Sequence, residues 1–409
     1  MKKALVNHPL GVYPDFRRLF AGRIISAVGD KFFAITIAWW VLSGAGEHGK
    51  FHLGMIMAMT FLPVVLFGPF FGALVDRSDK RLSMLWADAA RLTLVFTLAL
   101  LTWSDRLELW MLYGLCFMIA GFGPMFEASV ASSLLRLTSE EHLGAATAAD
   151  SSVMQLSNVF GSALGSIFLA VLGAAGAFFF NSLTYALSFI VVWLIVSDLR
   201  PRRGEQAPYF DELKAGLRYI AGNRPLLVLL LSFAALNFFV GPILILIPMI
   251  VKFVINGSVK WLAIFETFFA AGSALAAIVL SFRGGGCRRV YHWFFASLLA
   301  MGLPFLGLYF TTDRWLICGL LFVMGTALGA GNAVVLTLFQ RTVPEEMKGR
   351  FFSVLTTVSY AVLPLTFMLN GLLAESRSVG FSLLMNSCAL LALSSLVLFI
   401  PRLEYGETE

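Results

Sequence analysis

The sequence predicts an all-α membrane protein of twelve transmembrane helices, arranged as two pseudo-symmetric six-helix bundles. Three observations predict it. The 409 residues are 59% hydrophobic and 13% charged, against about 45–50% and about 25% in an average soluble domain. The apolar residues gather into twelve runs, each near the roughly 20 residues that a membrane helix needs. A loop pattern in the first half also returns 205 residues later, half the length of the chain. The composition excludes a soluble enzyme, a disordered chain and a nucleic-acid-binding domain. Lipid replaces water as the outer solvent.

The first run, 17–43, opens on Arg17 and Arg18 and follows a segment with Lys2 and Lys3 that lacks the apolar core of a cleavable signal. The run itself holds Arg23, Asp30 and Lys31. The second is 53–75. The third, 82–101, holds Asp88 and Arg91, one helical turn apart. The fourth, 109–135, places Glu127 just after Gly121, Gly123 and Pro124, residues that loosen a helix and open room for a substrate or proton. The fifth, 143–172, holds Asp150, and the sixth is 175–196. The seventh, 225–251, contains Asn237, Gly241, Pro242 and Pro248, and is expected to bend near its outer end with backbone carbonyls freed toward a cavity. Glu266 lies in the eighth run, 259–282. The ninth is 290–310, the tenth (315–339) holds Asn332, the eleventh (351–374) holds Asn370, and the twelfth is 379–400. These runs are too long for outer-membrane strands and lack their alternation.

Between runs six and seven lies the longest loop, 197–224. Phe210, Leu213, Leu217, Tyr219 and Ile220 recur there at helical spacing, with Lys214 and Arg218 between them, which predicts an amphipathic helix on the inner leaflet. The organisation is therefore a bundle over 1–196, a linker over 197–224 and a bundle over 225–409. With the N-terminus in the cytoplasm, the inner segments hold 21 of the 30 basic residues and the outer loops six. That asymmetry places both termini in the cytoplasm. The repeated pattern sits in equivalent loops: Arg136, Glu140, Glu141 and Gly144 match Arg341, Glu345, Glu346 and Gly349. A duplicated six-helix unit explains it.

Between runs two and three the chain reads Gly68-Pro-Phe-Phe-Gly72-Ala-Leu-Val-Asp76-Arg77-Ser-Asp79-Lys80-Arg81. This resembles the major facilitator signature G-x-x-x-D-[RK]-x-G-R-[RK]; Gly72, Asp76 and Arg77 match, Lys80 and Arg81 supply the basic pair, and Asp79 stands where the family has Gly. The resemblance implies a cytoplasmic gate: Gly72 allows close helix approach, and Asp76 accepts hydrogen bonds from a helix N-terminus. The alternative reading is that Arg77, Lys80 and Arg81 anchor the loop. Three further segments resemble the macrolide-efflux and enterobactin-exporter branch of that superfamily. They are the opening Phe16…Gly22…Ser26…Gly29-Asp30, the linker Glu212-Leu-Lys…Asn223-Arg-Pro225, and Val343-Pro344…Gly349-Arg350…Ser353. The likeness runs end to end. It implies two rocking bundles with a central site, and similar openings occur in lysophospholipid transporters.

No G-x-x-x-x-G-K-[ST] motif occurs, so ATP is not the expected energy source. His8, His48, His52, His142 and His292 have no ligand or triad spacing, and Cys116, Cys287, Cys318 and Cys388 show no paired spacing. The expectation is no enzyme, no metal and no cofactor. Charge within a span is expensive and marks function by default. The candidates for substrate or proton coupling are Asp30, Glu127, Glu266, Asn237 and Asn332. Asp30 reads equally as a structural hydrogen-bonding carboxylate. Arg23, Asp88, Arg91 and Asp150 read as an ion network within the first bundle. The expected activity is export of an amphipathic or hydrophobic small molecule, drug-like or siderophore-like, by proton antiport. The alternative is a lysophospholipid or lipid-linked substrate. The expected setting is the bacterial inner membrane, with substrate, protons and bilayer as partners, no nucleic acid, and a monomer.

Overall fold

In the computed structural model the described residues are 8–44, 46–200, 209–283 and 290–397. The basic loop over 284–289 with Cys287, the linker over 201–208, and the segments 1–7 and 398–409 lie outside them. Among the described residues the regular elements are all helical. After a single turn, Pro9–Val12, come α1 (Pro14–Gly44), α2 (Gly49–Arg77), α3 (Lys80–Trp103), α4 (Leu109–Leu137) and α5 (Glu140–Trp193). Then follow α6 (Tyr209–Gly222), α7 (Arg224–Val240), α8 (Ile243–Met249), a π turn (Ile250–Val254), α9 (Val259–Arg283), α10 (Val290–Phe310), α11 (Arg314–Thr342), α12 (Glu345–Ser376) and α13 (Val379–Val397).

Nine of the described helices are long and apolar enough to cross a membrane, and Phe295–Phe310 and Val379–Ser395 are shorter apolar ones. α5 has 54 residues, about 80 Å of helix against a hydrocarbon core of about 30 Å. Gly173, with φ 69° and ψ −176°, divides it into two arms; that backbone is cheap only for glycine. The two arms complete the twelve crossings. The internal repeat is visible in the elements. From Leu109 to Arg314, from Leu137 to Thr342 and from Glu140 to Glu345 the step is 205 residues each time. The two glutamate pairs open α5 and α12, where acidic residues suit the positive helix end.

The chain forms two compact units, residues 1–45 with 59–206, and residues 46–58 with 207–409. Helix α2 therefore gives its first turns to the second unit and its remainder to the first. In the first unit α1 packs along both arms of α5, and α3 packs against α4 and α5. Small residues permit the approach: a Cβ on Gly29 would collide with Thr184 and Asn181, and one on Gly165 with Phe32. In the second unit α9 packs on α11 through Gly272 and Gly325, each of which faces backbone of the other helix. α10 packs on α13, where Ser387 Oγ donates to the Gly302 carbonyl at 2.8 Å. The linker helix forms as α6 and seats Gly216 against Arg350 and Val354 of α12.

The seventh span breaks at Gly241–Pro242, as its prolines predict. The freed carbonyl does not stay open to a cavity: Thr366 Oγ1 donates to Phe238 O. An unpaired carbonyl inside the membrane costs several kcal/mol (about the price of a lost hydrogen bond in hydrocarbon), so a neighbouring hydroxyl fills the gap.

Candidate functional site

The densest charge inside the spans lies in the first unit, on α1, α3, α4 and α5. It has two parts. In one, Arg91 Nη2 pairs with Asp88 Oδ1 at 2.6 Å, and Ser188 Oγ donates to Asp88 Oδ2 at 2.7 Å. The Arg91 guanidinium carbon sits 4.7 Å from the Phe126 ring centre and 4.6 Å from that of Tyr185. Tyr185 donates its hydroxyl hydrogen to Asp30 Oδ1. In the other part, Arg23 bridges two carboxylates. Its Nη2 lies 3.0 Å from Glu127 Oε2, and its Nε lies 3.0 Å from Asp150 Oδ1. The two parts are electrostatic neighbours, since Arg91 and Glu127 both act on Asp30.

Burial separates the members. The Asp88 side chain is 0% exposed and those of Arg23 and Arg91 are 7% exposed, whereas that of Glu127 is 61% exposed. Asp30 is also an exposed residue. Asp88 and Arg91 hold each other, Arg23 holds the half-buried Asp150 and the exposed Glu127, and the exposed carboxylates have one protein partner each among the described residues. Chemically the cluster presents exposed carboxylates beside buried guanidiniums.

The loop between α2 and α3 is anchored within the first unit. Asp79 caps α3, its Oδ1 accepting from Arg81 N at 2.9 Å and Leu82 N at 3.4 Å. Its φ is −66°, so no glycine is needed there. The buried Lys80 donates through Nζ to the carbonyls of Asp76 and Ser78, both at 3.3 Å. Arg81 donates to the carbonyl of Trp193, Arg18 to that of Leu194 at 2.9 Å, and Arg136 to that of Arg200. Asp15 Oδ2 in turn accepts from the backbone of Val196 at 3.1 Å and of Ser197 at 2.8 Å. Arg81 and Arg18 thereby satisfy carbonyls left open at the end of α5, and Arg136 one in the segment that follows. Asp76 and Arg77 make no ion pair among the described residues, and a Cβ on Gly72 would meet nothing within 4 Å.

In the second unit the candidates lie on three different helices. Glu266 is half-buried in α9, and Asn332 is half-buried in α11. Asn237 donates to its own helix at Phe233 O, 2.9 Å away. The polar cluster lies elsewhere. Asn370 Oδ1 accepts from Ser382 Oγ and Asn386 Nδ2, both at 2.6 Å, next to Thr366 and the break in the seventh span.

A family model described as a transmembrane secretion effector, of major facilitator type, matches residues 9–409. The chain belongs to this family. Macrolide efflux protein A of Streptococcus pyogenes is 24% identical over 387 residues, covering 93% of this chain and 94% of that protein. The transporter YfiS of Bacillus subtilis (strain 168) is 25% identical over 420 residues, covering 97% and 95%. The crystal structure of a mutant of the nucleoside transporter NupG superposes with a TM-score of 0.76 at 9% identity, covering 95% of this chain and 100% of that one. That likeness shows the fold. This major facilitator is a transporter and not an enzyme.

Sequence reasoning singled out all six charged members of the facilitator's cluster but missed Tyr185 and Ser188. Their signal was present: Asn181, Thr184, Tyr185 and Ser188 recur at helical spacing in an apolar run, and all four are buried.

Proposed function

We propose that this major facilitator exports an amphipathic or hydrophobic small molecule, drug-like or siderophore-like, by proton antiport, with Glu127 and Asp30 as the coupling carboxylates. One observation carries the reading. Three carboxylates (Asp88, Glu127, Asp150) pair with two guanidiniums (Arg23, Arg91), and a fourth, Asp30, is bonded to the tyrosine that covers Arg91. Even with Lys31, whose charge also reaches Asp30, acids outnumber bases. An unbalanced negative charge inside a membrane is costly and is relieved by taking up a proton. The exposed Glu127 and Asp30 are the members that solvent and substrate can reach. Protonation there changes the balance on Arg23 and Arg91, and a proton that binds the inward and outward states differently drives the change between them. The efflux function of the macrolide relative supports export. Glu266, Asn237 and Asn332 are the second unit's candidate substrate contacts, and Gly72, Asp76, Arg77, Lys80 and Arg81 the gate, with the basic ends and both termini in the cytoplasm.

The test is uptake into proteoliposomes under an imposed pH gradient, with a radiolabelled macrolide as first probe and a panel of amphipathic drugs and siderophores after it. Glu127→Gln is expected to abolish gradient-driven transport while the purified protein stays folded. Unchanged transport removes Glu127 from the mechanism.

A further inference from the structure

We propose that Tyr185 is the positioning residue that sets the proton affinity of Asp30 and ties it to the Arg91–Asp88 pair; this rests on the reading of Asp30 as a coupling carboxylate. Tyr185 is in contact with Asp30 and with Arg91 of that pair. Its hydroxyl donates to Asp30 Oδ1, and its ring centre lies 4.6 Å from the Arg91 guanidinium carbon, which also has the Phe126 ring at 4.7 Å. The ring is 1% exposed, so it cannot swing away without repacking. The next turn of the same arm carries Ser188, which holds Asp88 Oδ2 at 2.7 Å. One helix face therefore addresses both carboxylates.

The two carboxylates differ in freedom. Asp88 is closed in by Arg91 and Ser188, with no exposure. Asp30 is exposed and has Tyr185 as its hydrogen-bond donor. The charged and titratable groups acting on Asp30 are Arg91 from α3, Glu127 from α4, Tyr185 from α5 and its neighbour Lys31 on α1. Of these, the tyrosine alone makes a direct hydrogen bond. A donor to a carboxylate favours the ionised form. A proton that arrives at Asp30 either sits on Oδ2, while Tyr185 goes on donating to Oδ1, or sits on Oδ1, in which case the Tyr185 hydroxyl turns from donor to acceptor, since a hydroxyl serves as both. The proton comes from solution and no other bond is made or broken.

Arg91 supplies a second, independent sign of an unfinished arrangement. Its Nε is buried and has no hydrogen-bond partner among the described residues. A buried donor without an acceptor is a standing cost, and it lies in the cation that Tyr185 covers. Loss of the Asp30 charge removes one of the anions that act on this guanidinium. Tyr185 thus stands between the group that takes the proton and the group that feels it.

The experiment is an infrared-monitored pH titration of the purified full-length transporter, with the Asp30 carboxyl band assigned by its loss in Asp30→Asn. Tyr185→Phe keeps the ring and its contact with Arg91 but removes the hydroxyl. The Asp30 titration is expected to move up by about one to two pH units, the size of a hydrogen bond to a charged group. An unmoved titration in a Tyr185→Phe protein that unfolds at the wild-type temperature overturns the proposal. If that variant does not fold, Ser188→Ala serves instead: it loosens Asp88 without touching Asp30, and an Asp30 shift as large as that assigned to Tyr185 overturns the proposal too. The coupling reading fails separately, if Asp30→Asn and Glu127→Gln proteoliposomes still transport with wild-type dependence on the pH gradient.

Discussion

Arg91 shows how a single residue is held inside the membrane. It is charged, 7% exposed, paired with Asp88 at 2.6 Å and enclosed by two aromatic rings. Removing one partner of such a pair strands the other charge, at a cost of about 3–5 kcal/mol. Arg91→Met is therefore expected to lower the unfolding temperature in detergent sharply, and Arg91→Met with Asp88→Leu to recover much of the loss. Glu127 stands at the other extreme. Its side chain is 61% exposed, so Glu127→Gln is expected to change stability by less than about 1 kcal/mol, read in the same melts. The spacing of Asp88 and Arg91 made their pairing legible in the sequence. The bridge from Arg23 to Glu127 spans 104 residues, and no local spacing announces it.

At the scale of elements, the local signals that proved readable were those satisfied by the chain's nearest neighbours. Gly173 parts the arms of α5, between the runs 143–172 and 175–196. Asp79 occupies a position where the family has Gly, and it replaces the turn glycine by a helix cap. Asp79→Ala is expected to cost about 0.5–2 kcal/mol and Asp79→Gly only a few tenths, measured by thermal unfolding. The start of α2 was not readable in this way. Its first amides, Lys50 N and Phe51 N, donate to Glu375 Oε2 at 3.1 and 3.3 Å, so its cap comes from the end of α12. In the same unit Gly54 and Gly371 meet backbone to backbone. Gly54→Leu is expected to be more damaging than Glu375→Ala, because a side chain at that contact must displace a helix whereas the amides at a helix end can turn to water. Yield of monodisperse protein after size-exclusion chromatography checks the order.

Over the whole molecule, the distribution of charge is the governing property. Of 30 basic residues 21 fall in the segments assigned to the cytoplasm, and Arg18, Arg81 and Arg136 there hold the backbone that follows α5. The positive ends therefore have a structural use as well as an orienting one. The proposed orientation, with both termini in the cytoplasm, predicts that a fluorescent-protein fusion at the C-terminus fluoresces and that an alkaline phosphatase fusion there is inactive; the reverse pattern refutes it. Duplication is equally visible at this scale. The 205-residue step seen in one loop extends to both bounds of α4 and α11 and to the starts of α5 and α12, as a duplicated six-helix unit predicts.

By itself the sequence determined the membrane class, the twelve crossings, the helix that links the halves and the residues of the charged cluster. Each follows from composition or from spacing within one helix, and the bilayer enforces both, because backbone groups in hydrocarbon must pair within a helix. Only the tertiary structure decided which carboxylate each arginine holds, that Tyr185 reaches Asp30, and that Thr366 fills the gap left by Pro242. Those contacts join residues from different helices, and what brings them together is the packing of small side chains such as Gly29 and Gly165, whose reach no one-dimensional pattern records.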